Sequence, residues 1–138
     1  MALNLRFRFS PTKDGLVKVL GPLETEIMQF LWEDDRSTVK KIHRKLSQQR
    51  DIAYTTVMTT MSRLSEKGVL HRSREGLAYV YSPAISEEEF VQLVVRQVVD
   101  GLLSDYSDTT IEYMVEYLAR HNPNELDRLR RAIQAHSK

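Results

Sequence analysis

Tyr54-Thr55-Thr56-Val57-Met58-Thr59-Thr60-Met61-Ser62-Arg63-Leu64-Ser65-Glu66-Lys67-Gly68 runs into Val69-Leu70-His71-Arg72 and, past Glu75-Gly76, into Ala78-Tyr79-Val80-Tyr81. At 100° per residue, Val57, Met61 and Leu64 fall on one side of a helix from about Tyr54 to Lys67, which makes that side the inner one. Gly68 is the residue at which such a helix stops. The two short runs after it read as strands, and Glu75-Gly76 is a turn signal between them. The outer side of the helix carries Thr55, Thr59, Ser62, Arg63 and Glu66, with Thr56, Thr60 and Lys67 at a flank. Threonine is a poor helix former, so propensity does not account for four of them there. DNA contact does: the hydroxyl can bond a base edge or a phosphate, and the methyl can pack on a thymine methyl. Arg63 can pair bidentately with guanine or clamp a phosphate.

Two more helices precede this one. Gly21-Pro22 opens the first, with Pro22 near its first position, and Leu23, Ile27, Phe30 and Leu31 make its apolar face, which Trp32 extends. Glu33-Asp34-Asp35 is a turn. Ser37 is expected to cap the second helix, in which Val39, Ile42 and Leu46 face inward, while Lys40, Lys41, Arg44 and Lys45 lie on its other faces. Helix, helix, helix, hairpin is the order of a winged helix-turn-helix. In that frame Arg50, Tyr54, Thr55, Thr56, Thr59, Thr60, Arg63 and Lys67 are the candidate DNA contacts of the third helix and its entry, with Lys40 and Arg44 as further phosphate candidates. Arg72 and Arg74 are those of the wing, flanked by Tyr79; they would position the protein on the backbone rather than specify sequence. Tyr81 reads as an ordinary hairpin residue.

Charge follows the same division. Between Arg36 and Arg74 there are ten Lys or Arg and only two acids, Asp51 and Glu66, whereas residues 86–138 carry six bases and ten acids. The net charge of +1 therefore hides a basic part suited to a polyanion and an acidic part that a polyanion would repel. With no cysteine in 138 residues, disulfides, cysteine-held zinc and thiol redox sensing are excluded. No apolar run has the length of a membrane span, and the N-terminus lacks the apolar core of a secretory signal, so no membrane insertion and a cytoplasmic location are the expectation. His43, His71, His121 and His136 have no metal-ligand spacing and read as surface histidines. No phosphate loop, nucleophile elbow or paired carboxylates point to an enzyme, and no cofactor is implied.

Outside the basic region, Leu3, Leu5, Phe7 and Phe9 alternate with Asn4, Arg6 and Arg8, which predicts a short strand packed on the body. The C-terminal third is helical. Ser86-Glu87-Glu88-Glu89 is a capping box, after which Phe90, Leu93, Val94, Gln97, Val98 and Leu102 recur at helical spacing. A second helix carries Ile111, Met114, Val115 and Leu118. A third, capped by Asn122-Pro123-Asn124-Glu125, carries Leu126, Leu129 and Ile133. Three such helices cannot bury their apolar faces alone, and an identical chain is the simplest partner. The expected seam is Phe90, Leu93, Val94, Val98, Leu102, Ile111, Met114, Leu118, Leu129 and Ile133. The fold class is thus mainly α with a small β-hairpin: an arm over residues 1–19, a winged helix-turn-helix over 20–84 and a three-helix dimerisation domain over 85–138.

The stretch Leu20-Gly21-Pro22-Leu23-Glu24 through Ile27-Met28-Gln29-Phe30-Leu31-Trp32 resembles the opening helix of the penicillinase and methicillin-resistance repressors, the BlaI/MecI family. Asp51-Ile52-Ala53-Tyr54-Thr55-Thr56-Val57-Met58-Thr59, then Arg63-Leu64 and Lys67-Gly68, resembles its recognition helix. The resemblance spans residues 20–136 and implies a homodimeric repressor whose winged domain binds a palindromic operator with TACA/TGTA-like half-sites and whose C-terminal helices make the dimer. It also implies, as a partner, a membrane sensor with a zinc protease domain that relieves repression by cutting an Asn-Phe bond in the dimerisation domain. The corresponding place here is Glu116-Tyr117, so that dipeptide is absent. A copper-responsive branch of the family ends in a cysteine cluster, which this chain lacks. The competing reading is a winged-helix module that binds proteins and no DNA. A protein-binding face would show aromatic or aliphatic anchors rather than threonines.

Overall fold

A computed structural model describes residues 8–11 and 13–137. The architecture is the expected one: α1 (Pro22–Asp34), α2 (Val39–Ser47), α3 (Tyr54–Glu66), β1 (Leu70–Glu75), β2 (Ala78–Pro83), α4 (Glu87–His121) and α5 (Pro123–His136). The chain divides into two compact units, Met1–Val94 and Val95–Lys138. Most of the strand predicted over 3–9 lies outside the described residues. Its last member, Phe9, is not in a strand and remains 41% exposed, so the burial expected of it is not met.

The first unit is built on one core. Ile27, Met28 and Leu31 of α1 meet Ile42 and Leu46 of α2, Val57, Met61 and Leu64 of α3, and Val69 beyond it, all with no exposed surface. Each side chain buried this fully contributes about 1.5–3 kcal/mol. Met28 belongs to the α1 stripe, while Phe30 is only half-buried and lies under the Lys45 ammonium, 5.1 Å from its ring centroid. Trp32 donates its indole N–H to the Ile85 carbonyl at 3.0 Å and packs on Phe90, ring centroids 6.0 Å apart.

Ser37 does not cap α2. The cap is Thr38, whose side chain accepts the Lys41 N–H at 3.2 Å. Ser37 is buried and pairs with Tyr81 as a one-residue third strand, N–H to carbonyl both ways at 2.9 and 2.8 Å. Sheet pairing turns Ser37 toward β2 and leaves the helix start to the next hydroxyl. Thr38→Ala is therefore expected to lower unfolding free energy by about 1 kcal/mol, the usual worth of a cap. Ser37→Ala, which keeps the backbone pairing, should cost less; urea denaturation of the two variants checks the order.

Gly68 ends α3 as expected, at φ 86°. Its N–H reaches the Ser65 carbonyl at 3.0 Å and the Val69 N–H reaches Leu64 at 3.0 Å, a Schellman arrangement closed by the buried Leu64 and Val69 side chains. The chain therefore leaves α3 directly into β1. β1 and β2 are antiparallel, with Leu70 opposite Pro83, Arg72 opposite Tyr81, Arg74 opposite Tyr79 and Glu75 opposite Ala78. Only Gly76 and Leu77 lie between the strands. Gly76 has φ 62° and Leu77 has no positive φ, the pattern of a tight type II′ turn.

Ser86 begins α4 as expected: its hydroxyl accepts the Glu89 N–H at 3.1 Å and donates to the Glu89 carboxylate at 3.0 Å. Phe90 and Val94, in its first two turns, close the core of the first unit. In the second unit α4 breaks at Tyr106 (φ −133°, ψ 44°), which gives the three helical segments read from the sequence. Asn122 sits at the α5 cap position without a side-chain cap bond, and Pro123 is in the first turn. Among the described residues beyond Val94, none is buried. Val99, Leu102 and Leu103 on one side of the break and Tyr113, Met114, Tyr117 and Leu118 on the other line an open apolar groove. Among the described residues no helix is long and apolar enough to cross a membrane.

Candidate nucleic-acid interface

The burial of Val57, Met61 and Leu64 sets the phase of α3 and turns Thr55, Thr56, Thr59 and Arg63 outward, all exposed. Between this face and the hairpin runs a groove lined by Met58, Thr59, Ser62, Arg63 and Glu66 from α3 and by Arg72, Tyr79 and Tyr81 from the strands. The Schellman turn and the β1–β2 register bring these groups together, because they place Arg72 beside Tyr81 and one step from Tyr79. The Arg72 guanidinium lies over the Tyr79 ring at 4.4 Å from its centroid, and that of Arg74 is 5.8 Å away. Cation–π contact of this kind orients a guanidinium without neutralising it. Among the described residues, Arg63, Arg72 and Arg74 have no carboxylate partner within ion-pair distance. Arg63 and Arg72 line the groove, with Arg74 farther along β1 toward the hairpin tip; together they form an anion-binding surface, and Glu66 is the acid on the groove wall.

Other expected contacts are already engaged. Arg50 forks onto Glu26 of α1 with hydrogen bonds of 3.0 and 2.8 Å. The hydrogen bond to Glu26 and its charge raise the Arg50 pKa, against an opposing effect of burial. Lys67 is held at 2.8 Å by Glu24, which also accepts the Gly21 N–H at 3.0 Å. Thr60 is half-buried and donates its hydroxyl to the Thr56 carbonyl at 2.8 Å. These three would meet a ligand as groups already shared with the protein. Lys40, Lys41 and Arg44 are exposed on α2. Tyr54 is exposed and stands edge-on to His43, ring centroids 5.5 Å apart.

His43 is no surface histidine. It is half-buried, and its Nε2 lies 2.8 Å from the Ile52 carbonyl, which ties α2 to the segment that leads into α3. Tyr81 is in the core rather than on an open hairpin face. Met58, on the outer side of α3, and Leu77, at the hairpin tip, are two apolar groups that helical phase and turn signals did not single out; both are exposed. Among the described residues no group of three or more His, Asp or Glu is placed to hold a metal ion.

The residues expected in a dimer seam divide. Phe90 is 1% exposed and Val94 is also buried within the first unit, so neither has surface left to give a partner; this corrects their assignment to the seam. Leu93, Val98, Leu118 and Leu129 are half-buried, and Leu102, Ile111, Met114 and Ile133 are exposed. Glu116 and Tyr117 lie within the helix after the break. Glu116 pairs with Arg120 at 2.8 Å and Tyr117 stacks on His121, centroids 4.4 Å apart.

Comparison with known proteins points one way. The penicillinase repressor family profile matches residues 20–135. The transcriptional regulator BlaI of Mycobacterium tuberculosis is 37% identical over 116 residues, 83% of this chain and 82% of that protein. The penicillinase repressor of Bacillus licheniformis is 27% identical over 74 residues, 54% of this chain and 58% of that protein. The solution structure of the DNA-binding domain of the repressor BlaI aligns with 51% of this chain and 85% of its own at 28% identity and a TM-score of 0.47.

Proposed function

The chain belongs to the penicillinase repressor family, and from that premise we propose that it is a homodimeric, sequence-specific repressor that binds a palindromic operator through α3 and the hairpin wing. The observation that carries this is the groove between them, where Arg63 and Arg72, without carboxylate partners among the described residues, stand beside an outward face of threonines. With α3 in a major groove, the intervening phosphate strand would run along the groove and the wing would meet the flanking backbone. Arg63 and Thr59 would then read base edges, and Arg72 and Arg74 would fix register. Glu26 and Glu24 would hold Arg50 and Lys67 at the edges of that surface.

Dimerisation is supported by the second unit, which has no buried residue of its own among those described. Short helices without a core are marginal in water, and a contiguous apolar face of this kind is ordinarily covered by a partner. Two winged domains held by these helices would place two α3 helices in successive major grooves, with half-sites about 10–10.5 base pairs apart or a multiple of that. Repression would follow from occlusion of the promoter. Release by a membrane sensor protease would first have to open the helix that contains Glu116 and Tyr117.

The test is a gel-shift titration at several salt concentrations. It uses the duplex upstream of the protein's own gene, with random duplex as competitor. Tight binding that resists the competitor supports the proposal; weak binding that random DNA abolishes sinks it and favours the protein-interaction reading. A wing substitution adds a finer check. Arg72→Ala is expected to weaken binding to all duplexes alike and to reduce the slope of log K against log[salt] by about 1, as loss of one phosphate contact requires. A change confined to one sequence would mean that Arg72 reads bases instead.

A further inference from the structure

We propose that Leu77 is an apolar wedge that the wing presses into the minor groove of the bound duplex, so that the tip reads deformability of the DNA as well as holding its backbone. This rests on the DNA-binding reading above. Leu77 is 97% exposed and touches nothing in its own chain. A lone exposed leucine is ordinary on a globular surface, but its position here is not ordinary. It is the second residue of a two-residue turn with Gly76 at φ 62°, a place where turn chemistry favours Asn, Asp or Ser. Neither turn preference nor burial accounts for the leucine. A local rule broken without a structural return marks a site kept for something else.

The surroundings name the occupant. Two residues on from Leu77, the Tyr79 ring lies under the Arg72 guanidinium at 4.4 Å and within 5.8 Å of that of Arg74. The apolar tip therefore lies just past two cations of β1, one of which, Arg72, also lines the α3 groove. The tight two-residue turn fixes the apex, and the exposed Arg36–Glu75 ion pair lies next to it. Cations within reach of phosphate, with a branched aliphatic group at the tip just beyond them, match the minor groove: phosphates line its walls, and an apolar side chain can lever open a base step. A protein pocket would offer no such rows of anions, and a lipid surface offers phosphates without the two walls of a groove or a stacked base step to open. Pyrimidine–purine steps unstack most easily, so the preference should fall on such a step at the outer edge of each half-site.

The experiment measures operator affinity, salt slope and end-to-end FRET of a doubly labelled operator duplex for full-length wild type, Leu77→Ser and Leu77→Lys. The wedge predicts about a three- to tenfold loss of affinity for Leu77→Ser, an unchanged salt slope and a smaller bend. It predicts that Leu77→Lys also binds the operator less well than wild type, despite its added charge. A tip that only lies near phosphate predicts the opposite for Leu77→Lys, tighter binding with a steeper slope, and that result overturns the proposal. So does Leu77→Ser with wild-type affinity and bend; in either case wild-type operator binding leaves the DNA-binding reading standing. Failure of the wild type itself to bind duplex would remove both.

Discussion

Arg63→Ala is expected to bind the operator about 10- to 100-fold more weakly than the wild type, a loss of about 1–3 kcal/mol, with its fold and oligomeric state unchanged. The size follows from what Arg63 does and does not do in the protein. It is exposed on the outer side of α3, opposite the buried Val57, Met61 and Leu64, and has no carboxylate partner among the described residues. Truncating it therefore removes no packing and strands no buried charge, so the effect should appear in binding and not in stability. Its sequence dependence separates two roles. If Arg63 reads guanine, the loss is concentrated on the operator and discrimination against a substituted base pair falls. If it clamps phosphate, random duplex suffers equally and the salt slope drops by about 1. Arg50→Ala is the internal contrast, because its guanidinium already forks onto Glu26 at 3.0 and 2.8 Å; it should lose less than Arg63→Ala. Titration of both variants on operator and random duplex gives the ranking, and unchanged operator affinity for Arg63→Ala would mean that α3 meets DNA through another face.

What could be read from the letters was local. The 100° phase of Val57, Met61 and Leu64, the stop at Gly68 and the turn at Glu75-Gly76 are each decided within a few residues, and all stand in the structure. The Ser86–Glu89 box is local in the same sense. Where the reading failed, the deciding partner was distant. Ser37 is the cap that the sequence suggests; its pairing with Tyr81 leaves the helix start to Thr38. Arg50 and Lys67 are free cations in sequence, and their acids lie 24 and 43 residues upstream. Phe90 and Val94 share the spacing of the seam, and what covers them, Trp32 included, is not encoded in that spacing. His43 looked like surface until the Ile52 carbonyl was brought to it. Helical period says which side of a helix is apolar and is silent on which body covers it. The same limit applies to Leu102 and Met114, whose cover has to come from experiment.

Leu102→Asp is that experiment, and it carries the largest effect. Leu102 and Met114 face the same apolar groove from opposite sides of the break in α4, and each is 42% exposed in the single chain. A carboxylate at either position remains hydrated in a monomer, so the second unit does not have to unfold to accept it. In a dimer that closes this groove the same carboxylate would lose its water without gaining a partner, at a cost of several kcal/mol if fully buried. The variant should therefore sediment as a monomer at micromolar concentration, where the wild type is expected to sediment as a dimer. Operator binding should fall with it. Joining two half-site readers turns the second binding event into an intramolecular one, worth about 10²- to 10⁴-fold in avidity. Leu102→Asp is expected to lose most of that factor on the full palindrome while binding an isolated half-site as the wild-type domain does. Phe90→Asp is the wrong control, since Phe90 is core to the first unit and its loss would unfold the reader itself. Met114→Asp is the right one: it should reproduce the monomer and the avidity loss together. A Leu102→Asp protein that stays dimeric would place the seam elsewhere, on α5 around Ile133. One that becomes monomeric with full operator affinity would show that the two wings do not act as a pair.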